Sequence, residues 1–136
     1  MHNPYLAMAA AAVAAWIFGS VWYAVLAKAW LAALGNDPAQ IEAKRKVREM
    51  PYVAMAVCFV SELIMAVVLS MLLAGLGATD LLTAAVTGLA LGVAFVATAI
   101  TANNLFQGRK LMLTLIDSAH WIIVLVIECV VLELVS

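Results

Sequence analysis

Charged residues are scarce in this sequence: Asp, Glu, Lys and Arg make up 11% of 136 residues, whereas 68% are hydrophobic. A soluble domain carries about a quarter charged residues, and a small one leaves much of its surface in water. The deficit excludes a soluble domain and predicts a chain whose solvent is lipid. It also excludes nucleic acid as a partner, because the net charge is −1 and there is no basic stripe.

Ligand-forming and nucleophilic motifs are also missing. The only cysteines, Cys58 and Cys129, stand alone inside apolar runs, and no Cys/His spacing indicates a zinc site or a redox pair. No nucleophile elbow, metalloprotease helix or phosphate loop occurs. We therefore expect no enzymatic activity, no metal and no cofactor.

Long apolar runs are what the chain has instead. Stretches at about 5–27, 51–75, 81–102 and 111–135 each reach the roughly 20 residues that cross a bilayer as a helix. The sequence predicts one all-α domain, 1–136, forming an integral membrane bundle of four helices. Asp37-Pro38-Ala39-Gln40 has the pattern of a capping box and predicts a short cytoplasmic helix over about 38–49.

The basic residues indicate orientation. All seven fall between the first two runs or before the last one: Lys28, Lys44, Arg45, Lys46, Arg48, Arg109 and Lys110. The positive-inside rule then places these loops in the cytoplasm and both termini outside a cell (inner) membrane. The cluster of Lys44, Arg45, Lys46 and Arg48 either rests on anionic lipid headgroups or is a solvated connection.

Small residues recur every four positions in two of the runs. The first carries Ala7, Ala11, Ala15 and Gly19, and the third carries Ala84, Gly88 and Gly92. Such stripes allow close helix packing, within one chain or between copies. We expect a homo-oligomer, a dimer or trimer, packed through these faces.

Aromatic residues gather at the end of the first run. Gly19-x-x-Trp22-Tyr23 followed by Lys28-x-Trp30 resembles the first-span signature of DUF1761, a family of membrane proteins of unknown function. The likeness extends to Asn104-Leu105-Phe106-x-x-Arg109 and to Leu115-Ile116-Asp117-x-x-His120. The resemblance implies four spans and no established activity. Ser61-Glu62 in the second run matches no pattern of the family.

Three ionisable residues fall inside the runs, where a charge is costly: Glu62, Asp117 and His120. If the second and fourth runs are neighbours, these residues form one polar cluster together with Ser61 and Trp16. In a structural role, the polar groups of this cluster satisfy one another's hydrogen bonds: Glu62 bonds His120 or the Trp16 indole, and Asp117 bonds a neighbour or Arg109. Alternatively it titrates in a small transporter, or it holds a metal with Cys58.

Two functions of different classes therefore remain open. One is a non-catalytic scaffold or accessory subunit that assembles with copies of itself or with a larger membrane partner. The other is a small proton- or solute-handling transporter or channel that uses the Glu62, Asp117 and His120 cluster. Glu128, nearer the outer end of the last run, is expected to face water or another subunit.

Overall fold

The computed structural model describes residues 3–47 and 49–136. Four of its helices are long and apolar enough to cross a membrane: span one (Pro4–Val25), span two (Tyr52–Leu76), span three (Leu81–Phe106) and span four (Leu111–Val135). The all-α fold with four candidate spans is confirmed, and each span begins within one residue of its expected start. We call the end with the loops after spans one and three the basic end, because it carries every Lys and Arg.

Two further helices join spans one and two at the basic end. The loop helix, Pro38–Val47, has the expected capping box, in which the Gln40 amide donates to Asp37 Oδ1 at 2.8 Å and the Asp37 amide donates to Gln40 Oε1 at 2.9 Å. The connecting helix, Ala27–Ala33, was not expected. Its alanine-rich sequence favours a helix, and it follows span one after a break at Leu26. Arg48, one of the four predicted headgroup contacts, lies outside the described residues.

Span four is the central helix of the bundle. It packs against the other three spans, and spans one and two also pack against each other. Span three packs chiefly against span four. The buried core therefore lies along span four, and a side chain buried on that helix faces spans one, two or three.

The small-residue stripes are used within the chain. Ala11 and Ala15 are fully buried in span one. A Cβ added to Gly88 would lie 2.5 Å from the carbonyl oxygen of Leu125, and one added to Gly92 would lie 2.8 Å from Ile122 Cα. Fully buried Ala84 continues the span-three stripe. The expectation that these faces join copies is wrong, because span four already covers the span-three stripe and the span-one stripe is buried in the same chain.

Span three has well-defined ends and an irregular middle. Asp80 caps its start by accepting the Thr83 amide at 2.9 Å and the Thr83 hydroxyl at 2.6 Å, and these bonds hold the pKa of that carboxyl below its usual range. A π-helical segment, Gly92–Ala97, lies in its middle. The span continues four residues beyond the expected 102 and ends before Gly108, whose φ of 65° gives the expected left-handed stop.

Candidate functional site

The family-like motifs of spans one and four meet at a hydrogen bond. The Tyr23 hydroxyl donates to Asp117 Oδ1 at 2.7 Å. Trp30, from the connecting helix, packs edge-on against the Tyr23 ring with centroids 5.6 Å apart. Asp117 lies two turns into span four, about 9 Å from its start. Of the two partners expected for Asp117, a neighbouring residue or Arg109, the structure shows a neighbour, the Tyr23 hydroxyl.

His120 lies beside this bond in an aromatic surround. Its ring is 2% exposed and stacks on Phe18, with centroids 6.0 Å apart and planes 10° apart. The rings of Tyr23 and Trp121 each lie 4.9 Å from it by centroid. Neither ring nitrogen has a hydrogen-bond partner within the described chain. We call Tyr23, Asp117 and His120 the basic-end cluster.

Gly19 explains how the imidazole fits. A Cβ at this position would lie 2.8 Å from His120 Nε2, so any larger residue would strike the ring. The first glycine of the span-one motif therefore makes room for the histidine of the span-four motif. The two motifs, about 100 positions apart in the chain, form one packing unit.

The other motif residues hold the basic end together or face outward. Asn104 Nδ2 donates to Thr114 Oγ1 at 3.0 Å, which ties the end of span three to the start of span four. Trp22 packs against Phe18, with centroids 5.6 Å apart. Phe106 is 95% exposed, and Lys28 and Arg109 are also exposed. Their positions indicate contact with solvent or lipid.

Glu62 is fully buried, but within the described residues it makes no hydrogen bond to His120 or Asp117. Its only hydrogen bond comes from the Cys58 thiol, with Sγ 3.7 Å from Oε1, and its Oε2 has no partner in the described residues. The Trp16 indole donates instead to the Met55 carbonyl at 3.0 Å, and the Ser61 hydroxyl bonds Val57 O at 2.9 Å. The predicted cluster is therefore divided in its hydrogen bonds, because Glu62 bonds Cys58 and the Trp16 indole bonds a backbone carbonyl.

Glu128 is the residue that sequence reasoning placed wrongly. It is fully buried, and neither carboxylate oxygen has a partner among the described residues. Glu62 and Glu128 are both fully buried carboxyl side chains, and we call these two residues the carboxyl pair. Its spacing gave a signal: Glu128 follows His120 by eight residues, and positions four apart share a helix face. A buried His120 thus implied a buried Glu128.

The polar groups occupy different depths along the bundle. At 1.5 Å per residue, His120 and Glu62 lie about 14 and 15 Å from the basic end of their spans, and Glu128 lies about 26 Å from it. Glu62, which the Cys58 thiol bonds, thus lies at the same depth as His120, and Glu128 lies about 11 Å further across the apolar layer.

A large cavity opens beside the basic-end cluster. It encloses about 1300 Å³ between span one, the two short helices and the start of span two. Tyr23, Cys58 and His120 line its inner part. Among the described residues, in the cavity or outside it, no three His, Cys, Asp or Glu side chains come together in a way that could hold a metal ion.

A comparison with protein-family models matches residues 6–133 to a family described as a protein of unknown function, DUF1761. The chain belongs to the DUF1761 family. No curated protein and no solved structure matches the chain. For this DUF1761 protein the structure gives the four candidate spans, and the arrangement of the buried polar residues must indicate the chemistry.

Proposed function

We propose that this DUF1761 protein handles protons in a membrane, alone or with a small solute, and that the carboxyl pair carries them. The observation behind the proposal is that Glu62 and Glu128 are fully buried, while three of their four carboxyl oxygens lack a partner in the described chain. A purely structural role would leave these oxygens bonded, since an unpaired buried polar group is costly.

The depth of the pair supports the same chemistry. An ionised carboxylate in the middle of a bilayer costs at least about 2.5–3.5 kcal/mol, and intramembrane carboxyls commonly mark proton or ion pathways. A carboxyl that takes up a proton there avoids the cost of the charge, and the second carboxyl, about 11 Å further along the bundle, is the next group that can bind a proton. With the basic end facing the cytoplasm, the pair continues from Cys58 toward the opposite side.

The test is proton flux into liposomes that carry the purified protein and an internal pH-sensitive dye, driven by a potassium diffusion potential. We expect wild-type protein to carry protons faster than empty liposomes do, and Glu62→Gln and Glu128→Gln each to slow that flux at least about tenfold, since glutamine cannot titrate. Glu133→Gln is the matched control on the same helix, because this side chain is only half-buried. Equal flux in all variants would end the proposal.

Flux that needs an unknown solute would be invisible in that assay, so a second readout is required. Infrared spectroscopy in deuterated buffer reports the carbonyl stretch of protonated carboxyl groups directly. We expect a protonated-carboxyl band that disappears in the Glu62→Gln, Glu128→Gln double variant and persists in Glu133→Gln. A spectrum that is identical in wild type and double variant contradicts a proton-carrying pair.

The accessory-subunit function is the second candidate, and one observation favours it. Span three packs chiefly on span four, so residues on its other sides, including Leu82 and Phe95, are exposed. Such a surface suits a second copy or a larger membrane partner as well as lipid. Under this function, exchanging either buried glutamate for glutamine should not weaken the assembly, whatever it does to flux or to the infrared spectrum. Phe95→Ala should weaken the assembly.

A further inference from the structure

The cavity at the basic end has the dimensions of a site for a chain-bearing ligand. Its volume, about 1300 Å³, exceeds the roughly 300–1,000 Å³ usual for pockets that hold small molecules. It reaches from the loop helix to Trp16 of span one and His120 of span four. Because Trp16 lies nine residues before Val25, this corresponds to about 14 Å of depth into the apolar layer.

The walls and the rim of the cavity differ in chemistry. The walls between spans one and two are apolar and include Ala24, Ala54 and Met55. The rim is formed by the two short helices and the segment before span two. Among the described residues it carries four basic side chains against two acidic ones: Lys28, Lys44, Arg45 and Lys46, with Glu42 and Glu49. Glu42 is already paired with Lys46 at 3.7 Å. The rim therefore keeps an excess of positive charge above an apolar interior.

The inner end of the cavity has polar atoms without partners. His120 lines it, and neither ring nitrogen has a partner in the described chain although the residue is 2% exposed; nearer the rim, the buried Trp30 indole nitrogen of the connecting helix likewise lacks one there. Buried polar atoms normally have partners. The protein itself covers these nitrogens, so the occupant of the cavity is inferred from its walls and its rim.

We propose that the cavity binds one anionic phospholipid, with its headgroup at the rim and an acyl chain along span one toward His120. A neutral hydrocarbon would leave the basic rim without a partner, and a small soluble anion would leave the deep apolar walls unfilled. A lipid with a phosphate headgroup meets both requirements, since lysines near a membrane surface attract anionic lipids. The site is separate from the carboxyl pair, so it stands whether or not the protein carries protons.

Native mass spectrometry of the detergent-solubilised, delipidated protein tests the proposal directly. Phosphatidylglycerol, phosphatidylcholine with matched chains, and inorganic phosphate are the probes. We expect one phosphatidylglycerol per chain, bound at least about tenfold more tightly than phosphatidylcholine, and no competition from phosphate. Equal binding of the two lipids would overturn the anionic-headgroup site. Displacement by phosphate would show a site for a soluble anion instead.

Variants separate this cavity from general attraction to a basic surface. Lys28→Gln and Lys44→Gln should each weaken phosphatidylglycerol binding about fivefold, the effect of one basic residue near anionic lipid. Arg109→Gln removes the same charge at the same end but outside the cavity and should leave binding unchanged. Ala54→Phe keeps every charge and fills the wall, so it should abolish binding of one lipid. The site is refuted if Arg109→Gln weakens binding as much as the two lysine variants do, or if Ala54→Phe leaves binding at full strength. An unchanged unfolding temperature checks that each variant is folded.

Discussion

At the scale of single residues, the contact between Gly19 and His120 is the most demanding feature of the basic-end cluster. A methyl group on Gly19 would lie 2.8 Å from Nε2 of a ring that is held by stacking on Phe18. The ring has little room to move, so the neighbouring helix must shift. We expect Gly19→Ala to destabilise the protein by about 1–3 kcal/mol, the usual cost of overpacking.

A second substitution makes that prediction specific. In a His120→Ala background the obstacle is gone, so Gly19→Ala should there cost much less, and a double-mutant cycle should give a coupling energy of about 1 kcal/mol or more. Unfolding in mixed micelles at increasing denaturing-detergent fraction provides the free energies. Additive effects of the two changes would show that the glycine and the histidine do not form one packing unit.

The division of the polar residues is also decided at this scale. Asp117 and His120 were correctly expected to lie together, because both are on span four and a spacing of three residues places them on one face of that helix. The partner of Glu62 depended on the rotation of span two about its own axis, which apolar residues on all sides of the helix leave unspecified. Tyr23 as the partner of Asp117 likewise required knowing how spans one and four face each other.

At the scale of elements, span three is held to span four by backbone contact at glycine. A Cβ on Gly88 would meet the Leu125 carbonyl at 2.5 Å, and backbone atoms cannot rotate away as a side chain can. We expect Gly88→Ala to separate the two helices and to lower stability by about 1–3 kcal/mol. Gly75→Ala in span two is the control: its Cβ meets nothing within 4 Å, so the change should be neutral or stabilising by up to about 1 kcal/mol.

The same unfolding measurement compares Gly88→Ala and Gly75→Ala, and His120→Ala should not rescue the former. If the two glycine variants have the same free energy of unfolding, the close approach of spans three and four is wrong.

The positions of the spans themselves were predictable from apolar run length alone, and the loop helix from its capping box. The connecting helix and the π-helical segment were not, because local propensity and packing against span four determine them without any distinctive sequence pattern.

At the scale of the whole molecule, the charge distribution predicts one orientation. Every Lys and Arg lies at the basic end, so the positive-inside rule places that end in the cytoplasm. In a background of Cys58→Ser and Cys129→Ala, single cysteines at Lys44 and Arg109 should resist a membrane-impermeant thiol reagent added to intact cells. A cysteine at Asp80, in the turn between spans two and three, should react. Labelling of the first two positions and protection of the third would mean the opposite orientation.

The central place of span four has a consequence for biogenesis. It is the last of the four spans to leave the ribosome, yet it supplies the packing surface for each of the others. Until span four inserts, span three lacks the helix against which it chiefly packs. Span two, which carries Glu62, likewise lacks one of the helices that bury it. The newly made chain must therefore cross the membrane three times before its core exists. A nascent chain halted near Gly108 would expose Glu62 and the small-residue stripe of span three to lipid, to insertion factors and to membrane proteases.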